Sequence, residues 1–391
     1  MVETLDQLFV SVKHWAVGLF PDALQPLVSG GISVAAIISV FGLLFAVTTV
    51  FERKGLGRIQ NRHGPNRVGP GGFLQFLPDG IKALIKEDFV PNAADKVVHF
   101  LAPVVFLIPI LVAYAVLPVG RNMTAADFDA GILFFFAAGA STEMAVFMAG
   151  WSSRNKYSLL GAIRAIAQMV SYEIPLILSS VTVIMMVGSL NLSTIVQAQT
   201  GYTWILPNWF VLTPWGFAGF ILFFIAAMAE SNRSPFDLPE AESELVAGYF
   251  TEYSGFKFAL FFIAEYFGMF AISGLAITLF LGGWNAPFSF LTVVPSYVWF
   301  FSKLIALIFL FIWVRGTVPR LRMDQLMNFA WKFMLPMALI NIGVTAVWHF
   351  MQGGWPRWLV CSLLIAGPYV ALGRGLLEHK QISKRTYRFA D

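Results

Sequence analysis

Apolar stretches of membrane-spanning length recur along the whole chain and alternate with shorter polar segments. About 20 apolar residues in a row cross the hydrocarbon core of a bilayer as a helix, so the pattern predicts about nine spanning helices. The predicted spans are residues 30–50, 97–117, 131–150, 159–188, 214–229, 254–281, 296–315, 333–351 and 356–376. We therefore predict an all-α integral membrane protein, with residues 1–391 forming a single polytopic membrane domain.

The composition agrees with this fold class. Of the 391 residues, 58% are hydrophobic and only 12% are charged, whereas a soluble domain carries roughly 25% charged residues. A chain with so few charges lacks the polar surface that it would need to face water on all sides. No cleavable signal peptide is expected at the N-terminus, because Glu3 and Asp6 are acidic where such a signal is basic.

Basic residues fall almost entirely on one side of the predicted nine-helix arrangement. They lie in residues 51–96, in the segments that follow the third, fifth and seventh spans, and in the C-terminal tail. The other side has only Lys13, Arg121 and Arg357. Because positive charge marks the cytoplasmic side of a membrane protein, we expect the N-terminus outside the cell and the C-terminus in the cytoplasm.

Residues 51–96 form the longest predicted connection, and part of it is rich in glycine and proline. The run from Gly64 to Gly72 contains four glycines and two prolines, which specify a defined non-helical path for the backbone. Such a path favours a loop that packs on a partner. The alternative is a basic loop that meets anionic lipid head groups.

The same connection ends in a predicted amphipathic helix on the cytoplasmic side. Gln75, Asp79, Lys82 and Lys86 recur at intervals of three or four residues and share one helical face, while apolar side chains lie on another. Pro78 fits the first turn of this helix. The helix is expected either to lie in the lipid head groups or to line the entrance of a ligand site.

Predicted spans contain charged residues, among them Glu143, Glu173, Glu265 and Lys303. A charge at the centre of a bilayer costs at least about 2.5–3.5 kcal/mol, so these side chains need partners or a hydrated cavity. Arg164 lies nine residues before Glu173 and therefore on roughly the opposite face of the helix. Glu173 then needs a partner from another helix or a bound proton. Structural ion pairs between helices are the alternative explanation.

The segment after the fifth span is acidic, although the other segments on that side are basic. Arg233 is accompanied by Glu230, Asp237, Glu240, Glu242, Glu244 and Glu252. Crowded carboxylates titrate as a coupled set, so this segment is suited to take up a proton when a neighbouring charge changes. The alternative is a solvated acidic start of a helix.

The sequence lacks the usual signatures of cofactor sites. It has no glycine-rich dinucleotide motif, no phosphate-binding lysine loop and no HExxH motif. Its one cysteine, Cys361, cannot hold an iron–sulfur cluster, and its histidines form no pair at metal-binding spacing. We expect no bound metal or flavin in this chain and no nucleic-acid partner. Any redox chemistry would need electrons from another chain.

Four long segments resemble the membrane subunit of bacterial respiratory complex I (NADH:quinone oxidoreductase) that is equivalent to mitochondrial NADH dehydrogenase subunit 1. They begin ERKGLG, GWSSRN, NRSPFD and WVRGTV, and they comprise residues 52–70, 150–173, 232–255 and 313–332. Long motifs in the same order are a specific signal. The similarity spans about residues 30–350, and residues 356–391 add a helix and a basic tail to the eight spans common in the family.

The resemblance implies a subunit that forms a chamber for ubiquinone or menaquinone and couples quinone reduction to proton translocation through a glutamate-rich path. Carried onto this sequence, the proton path comprises Glu143, Glu173, Glu230, Glu240, Glu242, Glu244 and Glu265. The quinone chamber comprises Glu52, Arg53, Asp79, Gly80, Arg233, Phe236 and Arg315.

The resemblance also implies an assembly in a bacterial inner (plasma) membrane. The expected partners are iron–sulfur and quinone-site subunits of the hydrophilic arm, small membrane subunits and antiporter-like subunits, besides the lipid bilayer. Some positions depart from the family pattern. Ser231 stands where threonine is usual, and Phe76 and Pro78 replace a Pro-x-Ala arrangement, which leaves the start of the amphipathic helix open.

Three other functions are compatible with the sequence. The chain could be the homologous anchor subunit of a membrane-bound hydrogenase or of a dehydrogenase with another electron donor. It could instead be a stand-alone ion transporter. The third alternative is a passive scaffold, in which the acidic residues only hold an interface.

Overall fold

A computed structural model describes residues 6–238, 246–351 and 353–377. Within these ranges, eight helices are long and apolar enough to cross a membrane, and the apolar helix Pro214–Glu230 is shorter. The helices are α1 Leu8–Gly18, α2 Gln25–Ile59, α3 Phe76–Ile85, α4 Lys96–Ala113, α5 Gly131–Ser152, α6 Lys156–Val187, α7 Leu192–Gln197, α8 Pro214–Glu230, α9 Gly255–Phe280, α10 Ser296–Thr317, α11 Met323–Phe329, α12 Leu335–Phe350 and α13 Trp355–Leu377. The predicted all-α membrane fold is confirmed.

Each predicted span corresponds to a helix, and a π-helical segment, Ala330–Met334, joins α11 to α12. The prediction for α2 was too short, because it ended this helix at residue 50, whereas the helix continues to Ile59. Residues 51–59 contain no proline and several good helix formers, so the helix extends beyond its apolar run into the polar segment. Glu52 consequently lies within a helix and not in a loop.

Side chains that cap the first turn mark the beginnings of several helices. Asp95 accepts a hydrogen bond from the Val98 amide at the start of α4, and Asn155 does the same for the Tyr157 amide at the start of α6. Gly188 ends α6 with a φ of +72°, a conformation that glycine adopts without steric cost.

Helix α9 lies at the centre of the bundle, and its residues from Met269 to Phe280 are all buried. It packs against α4, α10, α8 and α2. A helix that is apolar on all sides is expected in such a central position. Its neighbours α6 and α8 pack against each other and against α12, which closes that side of the bundle.

Several short elements were not predicted from the sequence, including α1, α7, α11 and a hairpin. Helix α1 is held to the first turn of α10 by Asp6, whose carboxylate accepts hydrogen bonds from the Ser296 amide at 2.8 Å and its hydroxyl at 2.5 Å. A hairpin of β1 Tyr202–Thr203 and β2 Leu206–Pro207 lies between α7 and α8. The two-residue strands are too short to carry the periodicity on which a sequence pattern depends.

Candidate functional site

A buried charge cluster forms where α2, α9 and α10 meet the segment after α8. The Glu52 carboxylate accepts a hydrogen bond from Arg233 at 3.4 Å, and Arg315 bonds to the same oxygen. The Tyr266 hydroxyl donates to the other oxygen. Glu52 and Arg233 are only 5% and 7% exposed. We call Glu52, Arg233, Tyr266 and Arg315 the arginine cluster.

The arginine cluster carries one carboxylate and two guanidiniums, and therefore an excess of one positive charge. The guanidinium of Arg233 lies 3.9 Å over the Tyr266 ring, a geometry that stabilises a cation. Burial lowers the pKa of Arg233, but the effects of Tyr266 and Glu52 raise this pKa by more. The pKa of Arg233 therefore lies well above its ordinary value. Arg233 thus stays charged, and its Nε and Nη2 atoms have no hydrogen-bond partner in the described part of the chain.

The two residues after Glu52 hold the segment that leads into α3. Arg53 forms an ion pair with Asp79 in the first turn of α3. Lys54 donates to the Gly71 carbonyl and lies 3.9 Å over the Phe73 ring. The amphipathic α3 is consequently fixed beside the arginine cluster, with Pro78 in its first turn as predicted.

Glycines let the connection between α2 and α3 fold back against α2. A Cβ atom on Gly64 would lie 2.8 Å from the Lys54 Cα atom, and one on Gly72 would lie 2.1 Å from the Pro65 carbonyl oxygen. Gly72 also has a φ of +80°, which side chains other than glycine rarely adopt. The glycine-rich run therefore specifies a defined path, as its composition predicted.

A cavity of about 80 Å³ lies among α4, α5, α6 and α9, and Glu173, Glu230 and Glu265 line it. A water molecule needs roughly 10–15 Å³ of such space, so the cavity has room for several waters. The Tyr249 hydroxyl donates to Glu265 at 3.3 Å. Apolar side chains of α4 and α5, such as Phe106, form much of the remaining wall. We call this space the glutamate cavity.

Two carboxyl oxygens, one at this cavity and one near it, have no hydrogen-bond partner in the described residues. Glu143 Oε1 and Glu230 Oε2 are buried without a hydrogen bond. Glu143 is not part of the cavity wall, but it is near enough to Glu173 and Glu230 to interact with them electrostatically. The structure thus brings Glu143, Glu173, Glu230 and Glu265 into one region, although they come from four different helices.

A short segment connects the glutamate cavity to the arginine cluster. Glu230 is the last residue of α8, Ser231 and Asn232 line the cavity, and Arg233 belongs to the arginine cluster. The buried side chain of Gln168 on α6 holds this segment. Its amide donates to the Ala229 carbonyl at 2.7 Å and to the Phe236 carbonyl at 2.6 Å.

The fourth charge predicted inside a span has a different role. Lys303 does not line the glutamate cavity. Its ammonium group donates to three backbone carbonyls that follow α9, those of Leu281, Gly283 and Asn285, at 2.7–2.8 Å. These bonds satisfy carbonyl groups of the non-helical chain that directly follows α9, where a buried backbone oxygen needs a donor.

The remaining predicted site residues are more dispersed. Phe236 is buried and packs on the Tyr172 ring at 5.3 Å. Gly80 lies on the exposed surface of α3, and a Cβ there would meet nothing within 4 Å. Glu240, Glu242 and Glu244 lie outside the described residues.

Tyr266, Tyr249 and the role of Gln168 were not predicted from the sequence. Tyr266 follows Glu265 directly, but their side chains serve different groups, since Tyr266 bonds Glu52 and Glu265 accepts from Tyr249. The only signal for Gln168 in the sequence was its position in an apolar helix. A polar side chain buried there needs hydrogen-bond partners, but the sequence does not say which. Its partners, in the segment after α8, are about 60–70 residues away along the chain.

Comparison with known proteins supports the resemblance seen in the four segments. A family model described as NADH dehydrogenase matches residues 32–346. A protein from Dehalococcoides mccartyi (strain CBDB1), named as a subunit of NADH-quinone oxidoreductase, is 48% identical over 313 residues, which cover 79% of this chain and 85% of the relative. Two relatives with the same name come from Brevibacillus brevis, with 48% identity over 82% of this chain and 94% of the relative, and from Bacillus cytotoxicus, with 49% identity over 80% and 92%.

The matched region includes the arginine cluster and the glutamate cavity. It begins within α2, before Glu52, and ends within α12, after Arg315. The identity of nearly one half, over most of both chains, is far above what unrelated membrane proteins share by composition. The family predicted from the sequence is confirmed, and this chain belongs to the NADH dehydrogenase family.

Proposed function

We propose that the chain is a membrane subunit of a proton-translocating NADH:quinone oxidoreductase, in which it forms part of the quinone chamber and of a proton path. The name shared by its relatives supports this assignment. The observation that carries the finer proposal is the segment from Glu230 to Arg233, which joins the glutamate cavity to the arginine cluster. Ubiquinone or menaquinone is the proposed substrate.

The arginine cluster suits the head group of a quinone. Guanidinium groups donate strong, directional hydrogen bonds to oxygen acceptors, and Arg233 has donors without a partner in the described residues. Reduction of the quinone to quinol consumes two electrons, delivered by an iron–sulfur subunit of the hydrophilic arm, and two protons. The excess positive charge of the cluster stabilises negative charge that develops on the head group between these steps.

The amphipathic α3 suits the route of the quinone tail. Its side chains Leu77, Ile81, Leu84 and Ile85 are exposed, and Arg53 fixes its polar face to the end of α2. An isoprenoid tail leaves water for an apolar surface because burial of apolar area is favourable. We place the entrance between lipid and chamber beneath this helix.

The glutamate cavity suits the transfer of protons away from the chamber. A change of charge at the arginine cluster acts on Glu230 and its neighbours through a poorly screened interior, in which charges interact more strongly than in water. The carboxyl groups of Glu143, Glu173, Glu230 and Glu265 then exchange protons, either directly or through water in the cavity. Glu240, Glu242 and Glu244 extend this path in the proposal.

We place the subunit in a bacterial plasma membrane, with the N-terminus outside and the C-terminus in the cytoplasm, as the distribution of basic residues favours. The proposed partners are hydrophilic-arm subunits, small membrane subunits and antiporter-like subunits. Residues 30–350 form the functional core in this proposal, and the helix and tail of residues 356–391 add further contacts.

The proposal is tested with amide substitutions in the intact complex. Glu173→Gln, Glu230→Gln and Glu242→Gln should each impair quinone-linked turnover or proton pumping, because an amide cannot bind and release a proton. Electron transfer from NADH to ferricyanide should remain, since it bypasses the quinone. Glu87→Gln is the matched control, because Glu87 is exposed and outside both sites. Normal pumping and turnover in all three variants would make the acids a scaffold and refute the proton path.

A further inference from the structure

A second, larger space lies on the surface of the bundle, between α2 and α4. It is a groove of about 460 Å³ with a predominantly apolar lining. Helix α2 packs on α1, α9 and α10, and the groove separates this part of α2 from α4. Its lining includes Gly30, Ser33, Ile37 and Ile38 of α2 and Ile108 and Leu111 of α4.

The groove exists because the facing surface of α2 has small side chains. Pro26, Ser29, Gly30 and Ser33 recur at intervals of three, one and three residues and therefore lie on one face of the helix. Ala115 lines the groove from the α4 side. Small residues let helices approach closely in membranes, but here no helix of the described chain fills the space.

The groove lies towards the beginning of α2, away from Glu52 and the arginine cluster. Phe41, three residues after Ile38, shows where this part of α2 lies in the bundle. Its ring packs on Tyr114, which directly follows α4, with ring centroids 4.2 Å apart. It also packs on Phe301, in the second turn of α10. From Ile38 to Pro26 the helix rises by about 18 Å, and half of the hydrocarbon core is about 15 Å thick. The stretch of α2 that lines the groove is thus long enough to accompany one acyl chain of a lipid leaflet.

A lysine lies at the wall of the groove. The Lys13 ammonium group donates to the Ser33 hydroxyl at 2.8 Å, and Ser33 lines the groove. No carboxylate of the described residues forms an ion pair with Lys13. Its helix, α1, exposes Phe9, Val12 and Trp15, apolar side chains that are compatible with a position at a membrane surface.

We propose that the groove between α2 and α4 binds a phospholipid, whose phosphate group contacts Lys13 and one of whose acyl chains lies in the groove. The charge of Lys13 selects the anionic head group, and the aliphatic lining selects the chain. The site lies at the opposite end of α2 from Glu52, so its occupation is independent of quinone chemistry. A helix of another subunit is the competing occupant.

The acyl-chain part of the proposal is tested by filling the groove in the assembled complex. The complex is incorporated into nanodiscs that contain phosphatidylglycerol with a photoactivatable diazirine in one acyl chain, and the labelled peptides are mapped by mass spectrometry. Gly30 lines the groove, and a Cβ there would meet nothing within 4 Å. Gly30→Leu should therefore reduce labelling of residues 26–38 and 108–115 several-fold.

Gly31→Leu is the matched control. Gly31 is the next residue, it is equally free of neighbours within 4 Å, and it does not line the groove. Labelling in this variant should equal that of the unmodified complex. Equal labelling in all three complexes would overturn the proposal. So would absence of label from both peptides in the unmodified complex, because a protein helix would then occupy the groove.

The head-group part is tested with Lys13→Met, with Lys96→Met as its control, because Lys96 is an exposed lysine at the other end of α4. Competition by unlabelled phosphatidylglycerol should weaken roughly tenfold when Lys13 is replaced, as expected for the loss of one charge-assisted hydrogen bond. The Lys96 variant should retain normal competition. Unchanged competition in the Lys13 variant would exclude this lysine as the phosphate ligand.

Discussion

The arginine cluster and the glutamate cavity bury acidic side chains in one bundle by two different means. Glu52 is surrounded by Arg233, Arg315 and a tyrosine hydroxyl. Glu143 and Glu230 instead have buried carboxyl oxygens without a partner among the described residues. A buried ion pair is fixed by its partner, whereas a carboxyl without a cationic partner costs less when it carries a proton. The first arrangement suits a stationary charge, and the second suits an exchangeable proton.

The largest expected effect comes from breaking the arginine cluster. Glu52→Gln leaves two guanidiniums close together and without their carboxylate. Removal of one partner from a buried ion pair costs about 3–5 kcal/mol, so the variant complex should assemble poorly or denature at a much lower temperature. Native gel electrophoresis and thermal denaturation of the purified complex measure this. If Glu52→Gln is as stable as Glu87→Gln, the cluster does not hold the helices together.

A smaller effect is expected when the segment between the two sites loses its support. Gln168→Leu removes the amide that donates to the Ala229 and Phe236 carbonyls. A buried carbonyl left without a donor costs about 1–3 kcal/mol, and both sites should become less ordered. Quinone-linked turnover and thermal denaturation should therefore decline together. Gln197→Leu, at an exposed glutamine of α7, serves as the control and should change neither quantity.

Removal of a second charge should partly compensate for the loss of the first. Arg315→Met in the background of Glu52→Gln eliminates one of the two guanidiniums. The double variant should be more stable than the sum of the single changes predicts, with a coupling free energy of about 0.5–3 kcal/mol. The denaturation temperatures of the four complexes in this cycle measure the coupling. Strict additivity would show that Glu52 and Arg315 do not form a pair in the assembled complex.

The smallest effect on stability is expected in the glutamate cavity. Glu230→Gln breaks no ion pair of the described chain, and the two side chains have nearly the same shape. The denaturation temperature should correspond to a change of no more than about 1 kcal/mol, although proton pumping should be impaired. A large fall in stability would mean that Glu230 has a structural partner, and the contrast between the two sites would then disappear.

The sequence predicted the spans well because each one carries its own signal. A run of apolar residues such as that of α4 predicts a helix wherever it packs. The position of Glu52 was predicted less well, because its helix continues past the apolar run and only the packed structure shows which face of α2 it occupies. Similarly, Lys303 and Glu173 are both charges inside a span, yet one binds backbone carbonyls and the other lines a cavity.

The residues that join different helices could not be predicted from spacing. Tyr266 bonds Glu52 although 214 residues separate them along the chain. Periodicity specifies the face of a helix but not the helix that it contacts. Arg233 and Arg315 were predicted as site residues from the family resemblance. Tyr266 and Gln168 were found only in the structure.

The short stretch after α8 has a mechanical consequence. Glu230 and Arg233 are three residues apart, so at most about 11 Å of extended backbone separates them. The Gln168 amide binds this stretch on both sides, at the Ala229 and Phe236 carbonyls, and these two hydrogen bonds restrict the movement of its backbone. A displacement of the backbone at Arg233 should therefore also displace Glu230 or break one of the two hydrogen bonds from Gln168.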